Sequence, residues 1–284
     1  MLIDNFKTNA LTFSFEIFPP KTPAGEENLK KETVHLAGLG PSFISVTYGA
    51  GGSTREKTLD IALGIRKDFG IDPLVHFTCV GAGRSDIRDY IETVRENGVS
   101  DILALRGDPP AGQAGFVPPE DGFAHADELV SFIKKINGFS IGVAGYPEGH
   151  IESPDLETDI INLKKKVDAG ADYIITQLFY DNDFFYSFID RIRKIGISVP
   201  VIPGIMPITN PGQIQKITTM CGATVPPALA RVLENCGEEE HACAAGIEYS
   251  IRQCNELKSW GVPGIHFFTM NRSAAVKKII DSLR

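Results

Sequence analysis

The sequence has no CxxC pair, and its five cysteines, Cys79, Cys221, Cys236, Cys243 and Cys254, are odd in number. That pattern supports neither a disulfide framework nor a zinc knuckle and leaves ordinary reduced thiols. No apolar run approaches the roughly 18 residues of a membrane span, and Met1 to Lys7 lack the charged-then-apolar order of a secretion signal. The expectation is a cytoplasmic protein with no membrane partner. Long basic runs are also missing. The longest is Lys164-Lys165-Lys166, and 28 Lys and Arg stand against 36 Asp and Glu, a formal charge of −8. An acidic chain without a basic stripe argues against nucleic acid as the main partner. No GxGxxG turn occurs, which speaks against an open dinucleotide-binding sheet.

What is present is a repeat of β-rich and amphipathic runs about every 30 residues. Residues 12–18, 43–48, 74–79, 102–106, 141–144, 173–179, 199–205 and 265–269 read as strands. Most are continuously apolar, as suits strands covered on both faces. Helical runs lie between them. Residues 155–169 carry Leu156, Ile160, Leu163 and Val167 on one stripe and stop at Gly170; residues 85–97 open on a Ser85 cap and stop at Gly98. Eight such units in 284 residues predict an α/β chain of one domain, residues 1–284, folded as a (β/α)8 TIM barrel. Residues 226–261 exceed the needs of one helix, so an extra helix is expected before the last strand.

Active sites of such barrels lie at the C-terminal ends of the strands. Those positions read Glu16, Thr47-Tyr48, His76, Arg106-Gly107-Asp108, Tyr146 with His150, Gln177 and Asn271-Arg272. Glu16 sits in an apolar run that ends at Pro19-Pro20. A carboxyl buried there is costly without a partner or a task; desolvated, it keeps its proton near neutral pH and suits a general acid, while a salt bridge to a neighbour is the plainer alternative. His76 reads either as a satisfied core histidine or as a site residue, and Asp108 either as a turn residue or as part of the site. Gln177, a primary amide among apolar residues, needs partners and suits the edge of a heteroaromatic ring. Asp159, Asn162 and Lys166 fall at i, i+3 and i+7 on one helix stripe, with Lys165 beside them. They form either a solvated charged face or a cradle for a ribose and a diphosphate.

Taken together these segments resemble the methylenetetrahydrofolate reductase family, in its short bacterial form. The matching motifs are Ser14-Phe15-Glu16 with Phe18-Pro19-Pro20, Ser45-Val46-Thr47-Tyr48-Gly49-Ala50, His76-Phe77-Thr78-Cys79 and Leu103-Ala104-Leu105-Arg106-Gly107-Asp108. They continue with Tyr146-Pro147-Glu148-Gly149-His150, Asn162-Leu163-Lys164, Thr176-Gln177-Leu178-Phe179, Pro203-Gly204-Ile205-Met206-Pro207 and Phe268-Thr269-Met270-Asn271-Arg272, in the family's order.

The resemblance implies a barrel that binds FAD without a Rossmann fold. NADH or NADPH reduces the flavin and leaves, and 5,10-methylenetetrahydrofolate then enters and is reduced to 5-methyltetrahydrofolate. It further implies that Glu16 is the general acid and that Asp108 stabilises the substrate cation and tunes the flavin. Tyr48, Ala50, His76, Arg106, Gly107, Tyr146, His150, Asp159, Asn162, Lys165 and Lys166, with His125 and Ala126 more loosely, resemble flavin contacts. Thr47 resembles a residue near the nicotinamide; Gln177, Gln213 and Arg272 resemble folate contacts. No metal is implied, and the family commonly forms homo-oligomers.

Lys165 stands where some relatives carry Arg, Ile217 where well-known members place Phe, and the loop over residues 116–126 is dissimilar. The chain ends at Arg284, from which no S-adenosylmethionine-binding regulatory domain and no such inhibition are expected. Rival readings are a Schiff-base aldolase, which needs a strand-end Lys that is missing from the polar set, and a metal-dependent lyase using Glu16, His76 and Asp108. A further rival is a folate and flavin subunit fed electrons by ferredoxin or a partner flavoprotein.

Overall fold

The computed structural model describes residues 1–7, 10–48, 55–108, 117–235 and 239–284. Its eight strands are β1 (Thr12–Ile17), β2 (Phe43–Val46), β3 (Pro73–Thr78), β4 (Asp101–Leu105), β5 (Ser140–Gly145), β6 (Tyr173–Leu178), β7 (Val201–Ile205) and β8 (Gly264–Phe268). All pair in parallel with their sequence neighbours, and β1 pairs β8 to close the barrel. This is the (β/α)8 barrel that the apolar runs predict, and each expected strand is present. The ends differ by a residue or two, as at β7, which starts after Pro200, a residue that lacks an amide to donate.

The helices are α1 (Pro23–Ala37), α2 (Arg55–Phe69), α3 (Arg84–Glu96), α4 (Ala126–Ile136), α5 (Leu156–Asp168), α6 (Asn182–Lys194), α7 (Pro211–Cys221), α8 (Pro227–Asn235), α9 (Glu239–Trp260) and α10 (Ala274–Leu283). Among the described residues no helix is long and apolar enough to cross a membrane. Asp155 caps α5, its carboxylate accepting from Thr158 N at 2.7 Å, and Gly170 ends that helix at φ +116°, as its sequence implies. The expected Ser85 cap is not used. Gly83 takes that position and α3 begins at Arg84, because the Asp86 carboxylate reaches back to accept from Gly83 N at 3.3 Å.

The strands' apolar residues serve two cores. Those facing outward pack under the helices in one large cluster that includes Phe15, Ile17, Val75, Phe77, Ile102 and Ile141. Those facing inward fill the barrel floor, where Phe43, Leu74, Leu103, Tyr173, Ile175 and Ile202 meet Leu2 and Phe6 of an N-terminal 3-10 turn. Gly142 makes room there, since a Cβ at that position would lie 2.5 Å from the Tyr173 ring. The expected additional helix is α8, which precedes the long α9. With α7 these build a satellite core around Tyr180, Met206, Ile208, Ile214, Leu229 and Leu233 beyond the ends of β6 and β7. The floor is thus plugged with hydrocarbon and the mouth is roofed on one side. Between them lies a polar layer.

Candidate active site

That layer centres on Glu16 near the end of β1. Its Oε2 lies 3.4 Å from His76 Nε2 and 3.7 Å from His266 Nε2. His266 is fully buried; its Nδ1 is 2.8 Å from Ser14 Oγ and its Nε2 is 3.5 Å from Ser45 Oγ. The Glu16 side chain keeps about one fifth of its surface, 20 %, open to solvent, so it faces the mouth. The strand end is pinned from β8: Thr269 Oγ1 donates to Glu16 O at 2.6 Å, and Asn271 bonds both backbone atoms of Phe18. Asn271 is therefore a clamp.

Burial pushes the Glu16 carboxyl up, but His266 and His76 more than offset it, and the group sits below its usual value. Burial in turn pushes His76 down to about 4. The His266 contact is the strongest of the influences that hold Glu16 down, ahead of that of His76. The expectation of a carboxyl that keeps its proton near neutral pH is corrected on this point. Desolvation alone predicts it, and the two imidazoles reverse it.

A cleft of about 270 Å³ opens between the ends of β4 and β5, the first turn of α4 and the face of α5 that runs from Asp159 to Lys166. It brings together Arg106, His125, Ala126, Tyr146, His150, Asp159, Asn162, Lys165 and Lys166, nine of the residues singled out from sequence. Lys166 Nζ donates to Ala144 O at 2.6 Å and lies 5.6 Å from the centre of the Tyr146 ring. Burial pushes Lys166 down to about 8 against the pull of Asp159, while burial raises Asp159 against the pull of Lys166. Lys165 Nζ donates to Asn162 Oδ1 at 2.9 Å. His125 precedes α4, with Glu128 accepting from its amide at 3.1 Å. Arg106 Nη2 reaches Glu152 Oε1 at 2.9 Å. Gly107, at φ +89°, has no room for a side chain, since a Cβ would lie 2.8 Å from Val80 Cγ1.

The other predicted residues are spread around the mouth. Asp108 is exposed just past β4, and Thr47 is half-buried beyond β2. Tyr48 packs outward in the core, 5.4 Å from Phe77 and 6.2 Å from Tyr90 between ring centres, and does not line the cleft. Gln177 is half-buried on β6, where the register with β7 shifts; its Oε1 accepts from Leu178 N at 2.9 Å. Arg272 lines a second cavity of about 330 Å³, with Met206, Ile214 and Phe268. Ile217 packs on the satellite core. Ala50 and the side chain of Gln213 lie outside the described residues. Glu16, His76 and Asp108 form no metal-lyase set, for no cluster of three acidic, His or Cys side chains among the described residues is arranged to hold a metal.

Sequence reasoning missed His266, Ser14, Ser45 and Glu152. The signal for His266 was a histidine inside an apolar strand, as with His76, but one turn of the pleat deeper than the strand end. Glu152 gave no signal beyond lying two residues after His150.

A model of the family described as methylenetetrahydrofolate reductase matches residues 2–284. The chain belongs to the methylenetetrahydrofolate reductase family. It is 37% identical over 274 residues to 5,10-methylenetetrahydrofolate reductase of Escherichia coli K12, covering 96% of this chain and 90% of that one. It is 44% identical over 283 residues to methylenetetrahydrofolate reductase (NADH) 1 of Arabidopsis thaliana, covering 95% of this chain and 48% of the plant protein. The chain thus spans about half the length of its plant relatives. Among solved structures, the fold is similar to that of a Clostridium thermocellum protein that binds two copies of 5-methyl-5,6,7,8-tetrahydrofolic acid, with a TM-score of 0.69, 16% identity and coverage of 99% and 95%.

Proposed function

We propose that the chain reduces 5,10-methylenetetrahydrofolate to 5-methyltetrahydrofolate with electrons from NADH or NADPH carried by bound FAD, in ping-pong order. The observation that carries this reading is the cleft shared by Arg106, Tyr146, His150, Asp159, Asn162, Lys165 and Lys166, one strand from the His76–Glu16 contact, in a chain of this family. The donor set fits such a cofactor. Arg106, Lys165 and Lys166 offer cations to a diphosphate, and Asp159 and Asn162 offer hydrogen bonds to sugar hydroxyls. FAD, when bound, supplies the transfer of hydride from nicotinamide to folate.

The chain's own residues do the rest. Glu16 delivers a proton to N10 of the folate as its five-membered ring opens to an iminium cation. Folate seated over the mouth removes the remaining water from Glu16 and raises its affinity for that proton. Asp108 presents a negative charge to the cation. Gln177 pairs with the pterin edge, giving up its own backbone contact, and Gln213 and Arg272 hold the rest of the folate. Thr47 lies beside the nicotinamide. The working unit is a homo-oligomer in the cytoplasm.

The test is the visible spectrum of the purified protein, followed by anaerobic NADH, NADPH and then methylenetetrahydrofolate. A flavin band that one nucleotide bleaches and the folate restores supports the reading. A protein that takes up no FAD overturns it, and a flavin bleached by neither nucleotide overturns the nicotinamide half.

A further inference from the structure

A buried acid that changes protonation state is comfortable in both states only if its neighbours change with it. Of the two imidazoles facing Glu16, His266 also has a hydroxyl on its far nitrogen and so can change with it. The His266 ring is locked, stacked on Phe43 at 5.7 Å and 15° and met edge-on by Phe268 at 5.5 Å and 86°. Its two nitrogens therefore face fixed partners: Ser14 Oγ at 2.8 Å from Nδ1, and Glu16 Oε2 at 3.7 Å from Nε2, with Ser45 Oγ at 3.5 Å. A neutral imidazole has one donor and one acceptor, and a serine hydroxyl can be either. Among the described residues the other titratable group facing Oε2 is His76 of β3, at 3.4 Å.

We propose that Ser14 and His266 are positioning residues that form a tautomer switch, keeping Glu16 paired whether it carries a proton or not. With Glu16 ionised, Nε2–H faces Oε2 and the Ser14 hydroxyl donates to Nδ1. With Glu16 protonated, its O–H faces the Nε2 lone pair and Nδ1–H donates to Ser14 Oγ. The two states differ by one proton. It is taken up at the Glu16 carboxyl, the solvent-facing member of the set, and the imidazole, its proton now on Nδ1 instead of Nε2, is neutral at both ends. The catalytic meaning of the switch rests on Glu16 being the proton donor to folate.

The experiment is a nitrogen-15 spectrum of histidine-labelled, full-length protein between about pH 8 and pH 3, reaching below the ordinary range of Glu because Glu16 is held down by its neighbours. The His266 signals are assigned by their loss in His266→Gln. The expected result is that the protonated-type nitrogen moves from Nε2 to Nδ1 as Glu16 titrates. One tautomer throughout, or an imidazolium across the whole range, overturns the switch. A second readout is the pH profile of flavin reoxidation by methylenetetrahydrofolate. Ser14→Ala leaves Nδ1–H orphaned, and an orphaned N–H is worse than an orphaned acceptor. Its profile should move down by about one pH unit, and Ser14→Thr should restore it; superimposable profiles for all three overturn the proposal. The spectrum involves no folate, so its failure condemns the switch alone, whereas normal folate turnover by Glu16→Gln condemns the donor role alone.

Discussion

Asn271 holds Phe18 by both backbone atoms: its Nδ2 donates to Phe18 O and its Oδ1 accepts from Phe18 N, each at 2.9 Å. This pair ties the exit of β1 to the loop after β8, two residues from Glu16. Asn271 adopts φ +55°, which a short amide tolerates better than most side chains. Asn271→Ala therefore loses two hydrogen bonds, about 0.5–1.5 kcal/mol each, and adds left-handed strain. We expect a loss of about 2–4 kcal/mol in urea unfolding, with Asn271→Gly recovering the strain component and not the bonds.

Glu16→Gln should leave flavin reduction by the nicotinamide intact and slow folate-driven flavin reoxidation by about 100-fold or more, the usual range for a lost general acid. Stopped-flow measurement of the two half-reactions separates them. Equal loss in both would make Glu16 a structural residue.

His76 titrates near 4 in the folded barrel and near 6.5 when free. The unfolded chain thus binds its proton first as pH falls, so stability is full above about 6.5 and drains away toward 4. The span corresponds to about 3 kcal/mol. His76→Gln should flatten the unfolding free energy across that window, and a slope unchanged from the native protein would contradict the assignment.

Lys166→Met keeps most of the side chain's length while removing its charge from the cleft. FAD affinity, measured by fluorescence quenching, should fall by about tenfold or more if Lys166 meets a phosphate oxygen. Lys165→Met, at an exposed position beside it, should cost less.

Gln177→Ala should weaken folate binding by about 1–3 kcal/mol, since the partner edge is left unpaired. Equilibrium titration of the flavin spectrum with 5-methyltetrahydrofolate reads this directly. An unchanged midpoint removes Gln177 from the site.

Much of this architecture was legible because parallel barrel strands are apolar on both faces, so eight continuous runs such as residues 74–79 and 173–179 stand out. The stripe from Asp159 to Lys166 was legible for a similar reason: helical periodicity alone puts those residues on one face. The protonation of Glu16 was not, because it depends on His266, 250 residues away in sequence, across the β1–β8 seam. The packing of Tyr48 against Phe77 and Tyr90 was not legible, because a strand-end position does not say whether a side chain turns into the barrel or outward. Glu152 was hidden because ion pairing with Arg106 is set by a loop that carries no periodicity.

The seam itself bears on how the protein is made. Ser14 meets His266 across 252 residues and Glu16 O meets Thr269 across 253, so the surroundings of the acid do not exist until β8 has left the ribosome. Until then β1 offers an unpaired strand edge and Glu16 has no histidine from β8. A polypeptide released before Gly264 has the cleft residues from Arg106 to Lys166 in full and none of the β8 half of the acid's pocket. Such a partial product holds Glu16 without the His266 and Thr269 contacts that surround it in the closed barrel.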